Sequence, residues 1–128
     1  MNHSAQERPH AKVILIAEDE AMVNTLLHLT LERAGYVVLS AHDGEEALQL
    51  SHSYPGTIDL LLTDMVMPKM TGLELCRSIG SERPETKILF MSGSHRPASG
   101  EHFLEKPFTP KELRTAVREM VELTSLSA

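Results

Sequence analysis

Lys12-Val13-Ile14-Leu15-Ile16-Ala17 opens on a lysine and continues as an unbroken apolar run, in which Val13, Ile14 and Ile16 are β-branched. A strand with one wet face alternates apolar and polar residues. A run without alternation suits a strand buried on both faces of a parallel sheet. The pattern that follows has another period. Across residues 20–34, Met22, Val23, Leu26, Leu27, Thr30, Leu31 and Ala34 recur at helical spacing, and Gly35 stands where a C-terminal cap belongs. A buried strand followed by an amphipathic helix is the first half of a βαβ unit.

The same alternation continues outward. Residues 36–40 read as a second strand. Residues 43–52 read as a helix, with Asp43 as cap and Glu46 three positions on, a variant of the capping box. Pro55-Gly56 breaks the chain, and 58–63 is a third strand. Thr71-Gly72-Leu73-Glu74 is a capping box that opens a helix over 72–79, in which Cys76 reads as a small core residue. Residues 87–91 form a fourth strand and 102–105 a short fifth. Thr109-Pro110-Lys111-Glu112 combines a capping box with proline at the first helical position, and Leu113, Ala116, Val117, Met120 and Val121 supply the buried stripe that follows. Five strands alternating with helices predict an α/β fold. Its form is a flavodoxin-like, doubly wound, five-stranded parallel sheet in the order 2-1-3-4-5. The domain is expected over 12–122, with 1–11 a disordered N-terminal tail and 123–128 a C-terminal one.

Composition narrows the function classes. The 128 residues suit one domain, and 41% apolar content suits a packed core. A formal net charge of -6 argues against a nucleic-acid-binding domain, which would carry a basic face. The single cysteine excludes an intramolecular disulfide and points to a reducing, cytoplasmic setting. No signal peptide is evident, and no run approaches the roughly 18 apolar residues of a membrane helix.

In such sheets, function collects beyond the carboxyl ends of the strands. Strand 1 ends at Glu18-Asp19, strand 3 at Asp64, strand 4 at Ser92 and strand 5 at Lys106-Pro107. The strand order makes these four ends neighbours. Each has an ordinary reading alone. Glu18-Asp19 would cap the next helix, Asp64 and Lys106-Pro107 would be turn residues, and Ser92-Gly93 a plain loop. Together they make a different case. Clustered carboxylates repel one another unless a cation intervenes, and a hard divalent ion with oxygen ligands meets that need. Lys106 adds a point charge for a phosphate oxygen, Ser92 a hydroxyl donor, and an aspartate carboxylate is a phosphoryl acceptor.

These residues carry a resemblance. With Glu18-Asp19, the segment Asp64-Met65-Val66-Met67-Pro68-Lys69-Met70-Thr71-Gly72, then Met91-Ser92-Gly93 and Phe103-Leu104-Glu105-Lys106-Pro107-Phe108, the chain resembles the response-regulator receiver domains of two-component signalling. The resemblance covers about 12–122 and includes the C-terminal receivers of hybrid histidine kinases. It implies that Asp64 is the phosphoacceptor, assisted by Lys106 and Ser92. Metal ligands would be Glu18, Asp19, Asp64 and the backbone carbonyl of Val66, with Mg2+ as the ion and Mn2+ as an alternative. Ser92 and Phe103 would form the switch, and Lys106-Pro107 a cis peptide. The implied partner is a sensor histidine kinase or a histidine phosphotransfer domain. Neither nucleic acid nor membrane is expected, and a weak homodimer is allowed. The domain is read as a signalling module that assists its own phosphorylation and dephosphorylation rather than as an enzyme.

One departure stands out. Only thirteen residues separate Ser92 from Lys106, and Gly93, Pro97 and Gly100 fall among them. The helix that the family places between strands 4 and 5 is therefore expected to be missing or much shortened. The seven histidines read as surface or packing residues, and Met65, Met67 and Met70 as packing that fixes the loop after Asp64. Two other classes compete: a pseudo-receiver that binds without being phosphorylated, and a flavodoxin-like or phosphatase enzyme. The intact Asp64, Ser92 and Lys106 speak against the first. Glu18-Asp19, where a flavin phosphate would sit, speaks against the flavin version of the second. Only turnover of a small phosphoester would revive the phosphatase.

Overall fold

The computed structural model describes residues 11–93 and 102–123. Five strands, β1 (Val13–Ala17), β2 (Val37–Ala41), β3 (Leu60–Asp64), β4 (Lys87–Ser92) and β5 (Phe103–Glu105), pair in parallel in the order β2-β1-β3-β4-β5. The helices among the described residues are α1 (Ala21–Arg33), α2 (Gly44–Ser53), α3 (Gly72–Glu82) and α4 (Pro110–Arg118), the last continued by a π-type turn over Glu119–Leu123. The predicted architecture and strand order hold. The expectation of a lost or shortened helix between the fourth and fifth strands falls on 94–101, outside the described residues.

Alternate side chains of the central strands enter two cores. Ile14, Ile16, Leu60, Leu62 and Leu89 pack with Leu27 and Leu31 of α1 and Leu113 and Val117 of α4. Val13, Leu15, Ala17 and Leu61 pack on the other face with Ala47 of α2 and Leu75 and Ile79 of α3. Burial on both faces is the reason that the strand sequences do not alternate.

The helix starts follow their local chemistry. Thr71 and Thr109 each make a full capping box, with Glu74 and Glu112 respectively. Asp43 accepts from the Glu46 N–H, but the Glu46 carboxylate reaches back one residue further, to the His42 N–H at 2.7 Å. Gly35 adopts φ 102°, the left-handed conformation that ends α1.

Several expectations need correction. β2 begins one residue late, because Tyr36 turns into the core and donates its hydroxyl to Glu122 at 2.9 Å. Helix α3 runs on to Glu82 rather than ending at Ile79. Cys76 is half-buried rather than a core residue. The apolar stripe read for α1 is wider than its buried face: Met22 is 80% exposed and Leu26 62%. The buried line of that helix instead includes a polar residue, Asn24, with Leu27 and Leu31.

Candidate functional site

Parallel strands in this order deliver their carboxyl ends to one rim. Glu18 and Asp19 follow β1, Asp64 closes β3, Ser92 closes β4, and Lys106 follows β5. Oxygens of Glu18, Asp19 and Asp64 lie within 4.8 Å of one another. The Lys106 ammonium donates to Asp64 at 2.9 Å and to Glu18 at 3.0 Å. The predicted acid cluster and its lysine are therefore together.

Their environments differ. Glu18 is fully buried, Asp64 is half-buried and Asp19 is exposed. Burial holds the Glu18 carboxyl above its ordinary value. The Glu20 N–H that it accepts at 2.9 Å and the Lys106 ammonium oppose that shift, while Asp64 reinforces it. For Lys106 burial acts downward. The hydrogen bonds to Asp64 and Glu18 outweigh it, so its affinity for the proton is raised.

Three carboxylates against one ammonium leave a formal charge of -2 when all are ionised. An all-oxygen, anionic donor set of this kind fits a hard divalent cation such as magnesium. Softer ions would want histidine or cysteine, and neither lies in the cluster.

The loop between β3 and α3 is held at several points. The Met65 N–H donates to Met91 O at 3.1 Å, and the Gly72 N–H returns to Met65 O at 2.9 Å. A Cβ at Gly72 would collide with the Asp64 carbonyl, so glycine is required where α3 abuts the end of β3. Met67 is buried in the core, Met70 packs against Gly44, and Lys69 holds a left-handed φ of 73°. The packing role read for these methionines holds for Met67 and Met70. Val66 stands 60% exposed on this loop, two residues after Asp64.

Ser92 is buried at the rim, and its carbonyl accepts the Lys106 N–H at 2.9 Å. The Lys106-Pro107 peptide is cis, as the resemblance implies. Phe103 is half-buried on β5, in register with Phe90. His28, half-buried, packs from α1 against Ser40 of β2 at 2.7 Å, while His42 and His52 are exposed beside Glu46 and Glu82. A groove of about 610 Å³ between α1 and α4, walled by Val23, Leu27, Phe108 and Leu113, flanks the rim and meets it at Glu20, Gly93 and Lys106.

Asn24 was not among the residues singled out from the sequence. Its side-chain amide donates to the carbonyls of Glu18 at 3.0 Å and Ala41 at 2.9 Å. The signal was present: a polar residue at helical spacing from Leu27 and Leu31.

Comparison with known proteins agrees. The response regulator receiver domain family model matches residues 14–118. The alkaline phosphatase synthesis transcriptional regulatory protein PhoP of Bacillus subtilis is 30% identical over 125 residues, covering 91% of this chain and 51% of PhoP. Sensor kinase CckA of Brucella abortus is 37% identical over 117 residues, covering 85% of this chain and 12% of CckA. The crystal structure of the receiver domain from hybrid histidine kinase CckA superposes with a TM-score of 0.78 at 36% identity, over 86% of this chain and 99% of that one. The chain thus spans about half the length of PhoP and a small part of CckA. Among the described residues, no helix is long and apolar enough to cross a membrane.

Proposed function

The chain belongs to the response-regulator receiver family, and from that premise we propose that Asp64 takes a phosphoryl group from a phosphohistidine on a sensor histidine kinase or histidine phosphotransfer domain. A carboxylate oxygen of Asp64 attacks phosphorus in line. The phosphorus–nitrogen bond of the donor breaks, and its electron pair returns to the imidazole, which then takes up a proton. Lys106, already within hydrogen-bond distance of Asp64, neutralises an oxygen of the transferring group. The Ser92 hydroxyl donates to a second oxygen.

Glu18, Asp19, Asp64 and the carbonyl of Val66 would hold magnesium, or manganese in its place. Bound there, the ion supplies positive charge to the transferring phosphoryl group. The reverse fate is hydrolysis: water attacks phosphorus, the acyl phosphate opens, and Asp64 regains its carboxylate as inorganic phosphate leaves. The domain assists both steps without being an enzyme in its own right. Between them, Ser92 and Phe103 carry the phosphorylated state to the surface. The unit that does this is residues 12–122, working in the cytoplasm, and a weak homodimer is compatible with it.

The observation that supports this reading best is the bridge of Lys106 to both Asp64 and Glu18 at the rim. Acetyl phosphate with MgCl2 should add one phosphoryl mass to the protein, and Asp64→Asn should abolish the addition. Full labelling of Asp64→Asn would remove Asp64 as the acceptor.

A further inference from the structure

We infer that Asn24 is a positioning residue for the acid pair Glu18-Asp19: it sets the direction of both carboxylates without touching the ion or the phosphoryl group. The inference rests on the reading of Glu18 and Asp19 as magnesium ligands.

The last register pair of β1 and β2 is Ala17 with Ala41, and the Glu18 N–H donates to Ala41 O at 3.1 Å just beyond it. Past that bond the two strands part, and β1 turns into α1. Asn24 occupies this corner, buried on the first turn of α1. Both amide protons are spent, one on Glu18 O and one on Ala41 O. Its backbone N–H takes Glu20 O at 2.8 Å. One residue therefore ties the end of β1, the end of β2 and the start of α1.

The consequence falls on Asp19. The peptide plane before Asp19 is held through the Glu18 carbonyl by the Asn24 amide. The plane after it is held through the Glu20 N–H by the Glu18 carboxylate. With both flanking planes fixed, φ and ψ of Asp19 are fixed, and so is the direction of its Cα–Cβ bond. Asp19 is exposed, so packing does little to direct it. Glu18 is gripped likewise, on its main chain by Asn24 and on its carboxylate by the Glu20 N–H and Lys106. Groups that orient metal ligands in this way commonly change metal affinity roughly ten- to a hundredfold when removed.

The test is Mg2+ binding to the whole chain by isothermal titration calorimetry with MgCl2, well below the melting temperature. Circular dichroism reports folding. Asn24→Leu keeps the volume and removes both donors. It should raise the magnesium dissociation constant roughly tenfold or more while the chain stays folded. Where Asn24→Leu does not fold, Asn24→Ala carries the same expectation, since the space it leaves admits water between the two carbonyls. A merely structural asparagine would lower the melting temperature and leave the constant unchanged, and that result overturns the inference. Asp19→Asn separates the two ideas. Wild-type binding in Asp19→Asn sinks the ligand reading itself. Loss of binding there, with wild-type binding in the folded Asn24 variant, sinks only the role of Asn24.

Discussion

At the scale of single residues, Lys106 holds two carboxylates that would otherwise face each other, one of them fully buried. Removing the ammonium leaves Glu18 and Asp64 with uncompensated repulsion. Lys106→Ala should therefore cost about 1.5–3 kcal/mol in EDTA, the range for hydrogen bonds to charged groups, measured by urea unfolding. Magnesium should stabilise the variant more than the wild type, because an added cation relieves a larger electrostatic deficit there. Equal stability of the two proteins in EDTA would contradict this account. The chain announced these residues because each stands at the end of an apolar run, so strand order alone predicts their convergence. Asn24 showed only as a polar residue in line with Leu27 and Leu31, and the Glu20 N–H not at all. Their partners are carbonyls and a carboxylate whose placement depends on the closed turn, and no local pattern encodes that.

At the scale of elements, runs and caps were legible because they are local: Thr71 with Glu74 and Thr109 with Glu112 lie three residues apart and need no tertiary knowledge. Ties between elements were not. Arg83, just past α3, donates to Ser51 Oγ and to the carbonyls of Ser51, Tyr54 and Gly56, closing the end of α2 against the end of α3. The chain gave no sign of it, because an arginine after a helix is usually solvated. The outward Met22 and Leu26 mark a related limit, since periodicity finds an apolar stripe but not how much of it the neighbours cover. Arg83→Ala should cost about 2 kcal/mol by urea unfolding, several charge-assisted bonds being lost together. Arg83→Lys should recover less than half, because an ammonium cannot reproduce the planar fork. Full recovery by lysine would show that charge, and not the fork, holds the two helix ends.

At the scale of the whole molecule, titration and ligation act on the folding equilibrium itself. Burial, then the hydrogen bond to Glu122, push the Tyr36 phenol well above its ordinary value. A group whose affinity for the proton is raised by folding stabilises fully below its unfolded pKa. That contribution is lost as pH climbs from about 10 toward the raised value. Alkaline unfolding should thus begin near pH 10. In a Tyr54→Phe background the phenolate absorbance should appear together with the loss of structure, and its appearance in a chain that stays folded would refute the linkage. On the proposed function, magnesium would act at the opposite end of the same balance. An ion at ten times its dissociation constant adds about 1.4 kcal/mol to the folded state. For a domain of this size that is a rise in Tm on the order of 5 °C by calorimetry. Asp19→Asn should abolish the rise. Arg83→Ala should keep it in full although its starting Tm is lower, because the Arg83 tie lies at the amino end of the sheet and the acid rim at the carboxyl end. A magnesium shift that vanished with Arg83 would mean that the two ends of the sheet are coupled, and that stability and ion binding cannot be assigned to separate groups of residues.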